Sequence, residues 1–79
     1  MNRNRNWRLE RREALHTAAL CLQACAERVT ARSVLRQYNR THDCNAQLSL
    51  SFISSVLVKA GWRWDADSST YRYSGGYDV

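Results

Sequence analysis

The chain has no stretch approaching the ~20 consecutive apolar residues of a membrane span. Its N-terminus is polar and Arg-rich, without the apolar core and cleavage site of a secretory leader. Both absences lead to the expectation of a soluble, cytoplasmic protein with no membrane partner. No Walker loop, no GxGxxG and no paired-carboxylate signature is present. His16 and His42 have no Ser or Cys nucleophile at a telling spacing. Seventy-nine residues make one domain with a thin core and no room for a deep pocket. The expectation is therefore a protein that is not an enzyme, takes no cofactor and acts by binding. Three cysteines, Cys21, Cys25 and Cys44, are an odd number and make no disulfide framework, so reduced thiols are expected. Phenylalanine occurs once and large aliphatics are few, so the rings of Trp and Tyr are needed inside.

Lysine is equally scarce. The chain carries 12 basic residues against 7 acidic ones, a formal charge of +5, and Lys59 is the single Lys; all the others are Arg. That balance favours anionic partners, nucleic acid first and an acidic protein or an anionic membrane second. Arg presents a planar fork to phosphate or carboxylate, where Lys presents a point charge. The codon usage of a GC-rich genome produces the same bias without a functional cause.

Residues 1–6 (MNRNRN) read as a flexible basic tail, residues 7–74 as one domain, and residues 75–79 as a loose C-terminal tail. A first helix is expected from Trp7 to Arg28, with an apolar stripe of Leu15, Ala18, Ala19, Leu22, Cys25 and Ala26. Thr30 is suited to cap a second helix over Ala31–Thr41, whose apolar face is Ala31, Val34, Leu35 and Tyr38. The turn-forming HDCNAQ segment follows. A third helix begins near Ser49 or Ser51 and ends at Ala60, with Leu50, Ile53, Val56, Leu57 and Ala60 on its stripe and Gly61 as its left-handed stop. Beyond Gly61 the period changes to two. Trp62–Asp65 and Thr70–Tyr73 alternate aromatic and polar residues around the polar loop Ala66–Ser69, which predicts a β-hairpin. The register that pairs Trp62 with Tyr73, Arg63 with Arg72 and Trp64 with Tyr71 places all four aromatics on one face, against the helices. The fold class is α+β, mainly α: three helices and a two-stranded antiparallel hairpin.

This order, carried by TARSVLRQYNR, LSLSFISSVLVKAG and WRWDADSSTYRY, resembles the winged-helix family over Thr30–Tyr73. It is more loosely similar to winged-helix domains of phage and plasmid primase-helicases, with Tyr38, Phe52, Leu57 and Gly61 at comparable places. The resemblance implies a third helix in the DNA major groove and a wing on the backbone. It nominates Ser51, Ser54, Ser55, Val58 and Lys59 for the groove, and Arg63 and Arg72 for the wing. The serines depart from the Arg, Asn or Gln that make bidentate contacts to bases. Phosphate contacts are therefore expected to dominate, on duplex DNA, with weak sequence selectivity.

Each candidate has a plainer counterpart. Arg63 and Arg72 directly opposed repel each other unless an anion such as phosphate lies between them; otherwise both are solvated and screened by Asp65 or Asp67. Arg28, Arg32, Arg36 and Arg40 step by four, as a phosphate-tracking ridge or as an ordinary wet face. Arg3, Arg5, Arg8, Arg11 and Arg12 form a basic arm suited to nucleic acid or simply to solubility. Cys21, Cys25, His42 and Cys44 lack the tight spacing of a structural zinc site, so core packing of the thiols is expected and no metal. The hairpin aromatics could stack single-stranded bases, but the core needs them. Two functions follow: a nucleic-acid-binding regulator from a phage or mobile element, or a protein-interaction module or small phage-type inhibitor that uses Phe52 and Val58 to grip an acidic host protein. An exposed apolar patch beside the third helix points to protein, and a continuous basic surface points to DNA.

Overall fold

Three helices are followed by one antiparallel hairpin in the computed structural model, which describes residues 3–74, with side chains from residue 10 onward. The elements are α1 (Arg3–Ala24), α2 (Ala31–Thr41), α3 (Leu50–Ala60), β1 (Arg63–Asp65) and β2 (Thr70–Arg72). The fold is α+β and mainly helical. Met1, Asn2 and the expected C-terminal tail at 75–79 lie outside the described residues. The helical backbone begins at Arg3, earlier than the expected Trp7. Arg is a good helix former, and the RNRN segment, though its two Asn are weak ones, has no Gly or Pro to stop a helix.

The starts of α2 and α3 follow from their caps. Thr30 Oγ1 accepts from the Ser33 amide at 3.0 Å and Ser33 Oγ accepts from the Thr30 amide at 2.8 Å, a reciprocal box that satisfies two orphan donors. Ser49 Oγ accepts from the Phe52 amide at 3.0 Å.

All three helices end in one geometry. In α3 the Trp62 amide donates to the Leu57 carbonyl and the Gly61 amide to that of Val58, around Gly61 at φ 108°. The same pair of bonds recurs at Glu27→Leu22 and Ala26→Gln23, with Ala26 at φ 60°, and at Cys44→Asn39 and Asp43→Arg40, with Asp43 at φ 51°. The first helix therefore stops at Ala24, short of the expected Arg28. Its left-handed stop is an alanine, which gives no glycine signal. An L-residue in that region costs roughly 1–2 kcal/mol. After the extra unfolded-state freedom of glycine is subtracted, Ala26→Gly is expected to stabilise the protein by about 0.5–1 kcal/mol. A urea midpoint that stays put or falls would refute the strain at Ala26.

The buried core is Leu15, Ala18, Ala19 and Leu22 of α1, Val29, Val34 and Tyr38, Ile53, Val56 and Leu57 of α3, and Trp62. Ala18 and Ala19 let the neighbouring helices approach closely. Leu50, expected on the stripe of α3, is 40% exposed in the first turn, where no described element covers it. Cys25 and Ala26 are also exposed, because the chain has left the helix before the stripe can carry them inward.

The hairpin has the expected register, Arg63↔Arg72 and Trp64↔Tyr71. Trp62 and Tyr73 stack at 5.1 Å and 29°. Trp62 is 2% exposed, and Tyr71 and Tyr73 are half-buried. Trp64 contradicts the expected burial at 51% exposed. It shares the aromatic face, but the helical cover ends at the Trp62–Tyr73 pair and the strand carries Trp64 beyond it.

Three polar ties that the periodicity does not show fix the hairpin to the helices. The Trp62 indole N–H donates to His16 Nδ1 at 2.9 Å, so that nitrogen carries no proton there. The Gln23 side-chain amide pairs both backbone groups of Tyr73, donating to its carbonyl at 3.1 Å and accepting from its amide at 3.0 Å. Val29, between α1 and α2, accepts from the Tyr71 amide at 2.7 Å, and its own amide donates to Thr70 Oγ1 at 2.6 Å. Val29 thereby lies along β2 on the side away from β1.

Candidate nucleic-acid interface

The outer surface of α3 is set by what its buried stripe leaves over. Ser51, Phe52, Ser55, Val58 and Lys59 are exposed, and Ser54 is half-buried. No carboxylate lies on α3, and its last turn carries Lys59, whose ammonium suits the negative end of the helix. Phe52 and Val58 are 38% and 58% exposed. Together with Leu50 and Trp64 they are the exposed large apolar side chains among the described residues, and all four lie on α3 or β1.

Alternation along β1 and β2 puts Arg63, Asp65, Thr70 and Arg72 on the face opposite the aromatics. Arg63 and Arg72 are both exposed and directly cross-strand, as expected. The like-charge repulsion expected between them is moderated by Asp65, whose carboxylate accepts from Arg72 Nε at 3.0 Å. Arg63 and Lys59 have no such carboxylate among the described residues. Asp65 also accepts from Ser68 Oγ at 2.8 Å and from the Asp67 amide at 3.1 Å, which folds the loop back on the strand. The Ser68 hydroxyl first, and then Arg72, hold the Asp65 carboxyl below its ordinary value of 3.8. Because the folded value is the lower one, the carboxylate's contribution is complete above that ordinary value and is lost as pH falls through the depressed one. NMR shifts of the loop amides should therefore hold steady down to about pH 4 and move below it. Asp65→Asn should abolish that transition, and its survival in the variant would remove Asp65 as its origin.

The four-residue steps continue on α2 from Arg32 onward. Arg32, Arg36 and Arg40 are exposed. Arg36 and Arg40 border a small cleft with Cys21 of α1 and Cys25 just beyond its end. Arg28 has left the helix. It lines an open cleft of about 470 Å³ between the α1–α2 connection and β2, together with Arg72, Glu27 and Tyr71. That Arg28 and Arg72 line one cleft is not legible from their spacing. Arg12 is exposed and Arg11 partly so; the side chains of Arg3, Arg5 and Arg8 lie outside the described residues.

The thiols correct the expectation of core packing. Cys21, Cys25 and Cys44 are all exposed. Cys21 Sγ accepts from Gln37 Nε2 at 3.7 Å and Cys44 Sγ donates to Asn39 Oδ1 at 3.3 Å. Among the described residues no three His, Cys, Asp or Glu side chains gather as a metal-holding group. His42 is exposed and stacks on Tyr38 at 4.5 Å, whereas His16 is half-buried as the acceptor for Trp62. Among the described residues no helix is long and apolar enough to cross a membrane. Compared with family models, curated proteins and solved structures, the chain matches none.

Proposed function

We propose that this protein is a winged-helix nucleic-acid-binding protein, a regulator of the phage or mobile-element kind, that binds duplex DNA through its phosphates and performs no chemistry. The observation that carries the reading is the attachment of Val29 to β2. It gives the order helix, short extended segment, helix, helix, hairpin, with the extended segment paired to the hairpin as a wing requires. α3 then serves as the groove helix, with Ser51, Ser55 and Lys59 outward, and Arg63 and Arg72 serve as the wing contacts. Arg32, Arg36 and the arm from Arg3 and Arg5 add charge. The serines offer no bidentate base contact, so affinity resides in phosphate neutralisation and falls steeply with salt.

Binding to random-sequence duplex DNA across a salt series tests this. Affinity should fall linearly on log–log axes and vary little with sequence. Wild-type protein that ignores duplex DNA even at low salt ends the reading.

The exposure of Leu50, Phe52 and Val58 on α3 favours a second reading, a protein-interaction module or small inhibitor of a host protein. On that reading Phe52 and Val58 anchor the partner, and Lys59 and Arg63 select an acidic one.

A further inference from the structure

We propose that Trp64 is a stacking platform for one unpaired nucleobase, which directs the protein to duplex DNA flanked by a single strand. This rests on the nucleic-acid reading above. A two-stranded ribbon with four aromatics on one face has every reason to bury them all, and it buries or half-buries three. Trp64 is 51% exposed, and the core closes without it.

The indole is nevertheless held. Tyr71, directly across the ladder, meets it at 4.9 Å and 68°. Tyr71 is itself anchored by its amide bond to Val29 at 2.7 Å. A buttressed ring loses little freedom when a base lands on it, which is the condition for stacking to yield affinity.

The surroundings supply the charge. Arg63 precedes Trp64 and faces Arg72 across the ladder on the other side of the ribbon. β1 is the open edge, because the far side of β2 is occupied by Val29. A phosphate flanking a base on Trp64 would come within reach of the long Arg63 side chain over that edge. An exposed aromatic ring with a cation reaching round the same strand edge suits single strands irrespective of sequence, since every base has a π face. It complements an α3 that has no bidentate base readers.

The test measures fluorescence anisotropy with a blunt duplex and with the same duplex carrying a short unpaired overhang, for wild type, Trp64→Ala and Trp64→Phe. Wild type should favour the overhang by about fivefold or more, the lower end of what one stacked base contributes. Trp64→Ala should lose that preference and keep its affinity for the blunt duplex, and Trp64→Phe should keep most of the preference. Circular dichroism confirms that each variant is folded. Equal binding of both DNAs by wild type overturns the platform and leaves the duplex reading standing. So does an equal loss on both DNAs in Trp64→Ala. Binding to neither DNA by wild type at low salt overturns the duplex reading itself.

Discussion

Trp62→Ala is expected to be the most destabilising single truncation in this protein, removing a large share of its folding free energy. Trp62 is the largest of the fully buried side chains, and it joins the end of α3, the hairpin and α1. Its amide closes the end of α3, its ring stacks on Tyr73, and its indole N–H satisfies His16. Truncating a buried Trp costs about 3–5 kcal/mol. A domain of this length holds roughly 4–12 kcal/mol in total, and the alanines of α1 leave few large neighbours to collapse into the cavity. Trp62→Phe keeps a ring in place and leaves His16 Nδ1 without its donor, so a loss of about 1–2 kcal/mol is expected. Urea denaturation followed by circular dichroism measures both. A loss below about 1 kcal/mol in Trp62→Ala would mean that the hairpin is not the keystone of the core.

Replacing Lys59 and Arg63 together with Ala is expected to weaken binding to any duplex. It should also lower the slope of log affinity against log salt by about 1.8, if each cation neutralises one phosphate. These two are the cations of α3 and β1 that no carboxylate engages among the described residues. Arg72→Ala should cost less, because Arg72 must leave Asp65 to reach a phosphate. All are surface changes and should leave stability within about 0.5 kcal/mol. Phe52→Ser with Val58→Ser should barely alter DNA affinity. The protein-partner reading reverses the pattern: the apolar pair becomes essential to partner capture and the slope becomes flat for want of DNA binding. One salt series on both double variants separates them.

Much of the fold was legible because its signals are local. The stripes of α2 and α3, the caps at Thr30 and Ser49, the glycine after Ala60 and the change of period at Trp62 are each carried by a few neighbouring residues. The hairpin register followed from alternation alone. What escaped was long-range or lacked its usual marker. The end of α1 is set by an alanine in a conformation that normally announces itself as glycine. The ties of Gln23 to Tyr73 and of Val29 to Thr70 join residues 50 and 41 positions apart, through groups that read as an ordinary polar face and an ordinary connection. Their position beside the stripe points Cys21 and Cys25 to the core, but α1 ends too early to turn Cys25 inward. Alternation places Trp64 with the buried rings, whereas cover depends on where the helices stop. Of the candidate interface, the exposed set on α3 and the Arg63–Arg72 pair were legible; the carboxylate on Arg72 and the cleft shared with Arg28 were not.

Lys59 also makes the surface of α3 chemically addressable. It carries the one ε-amine in the chain and stands exposed in the last turn of the helix. Amine-directed acylation therefore has a single side-chain target, without any engineered residue. A fluorophore or crosslinker placed there sits beside Ser55 and Val58, so one labelling reaction reports on contact at that face, whichever class of molecule covers it.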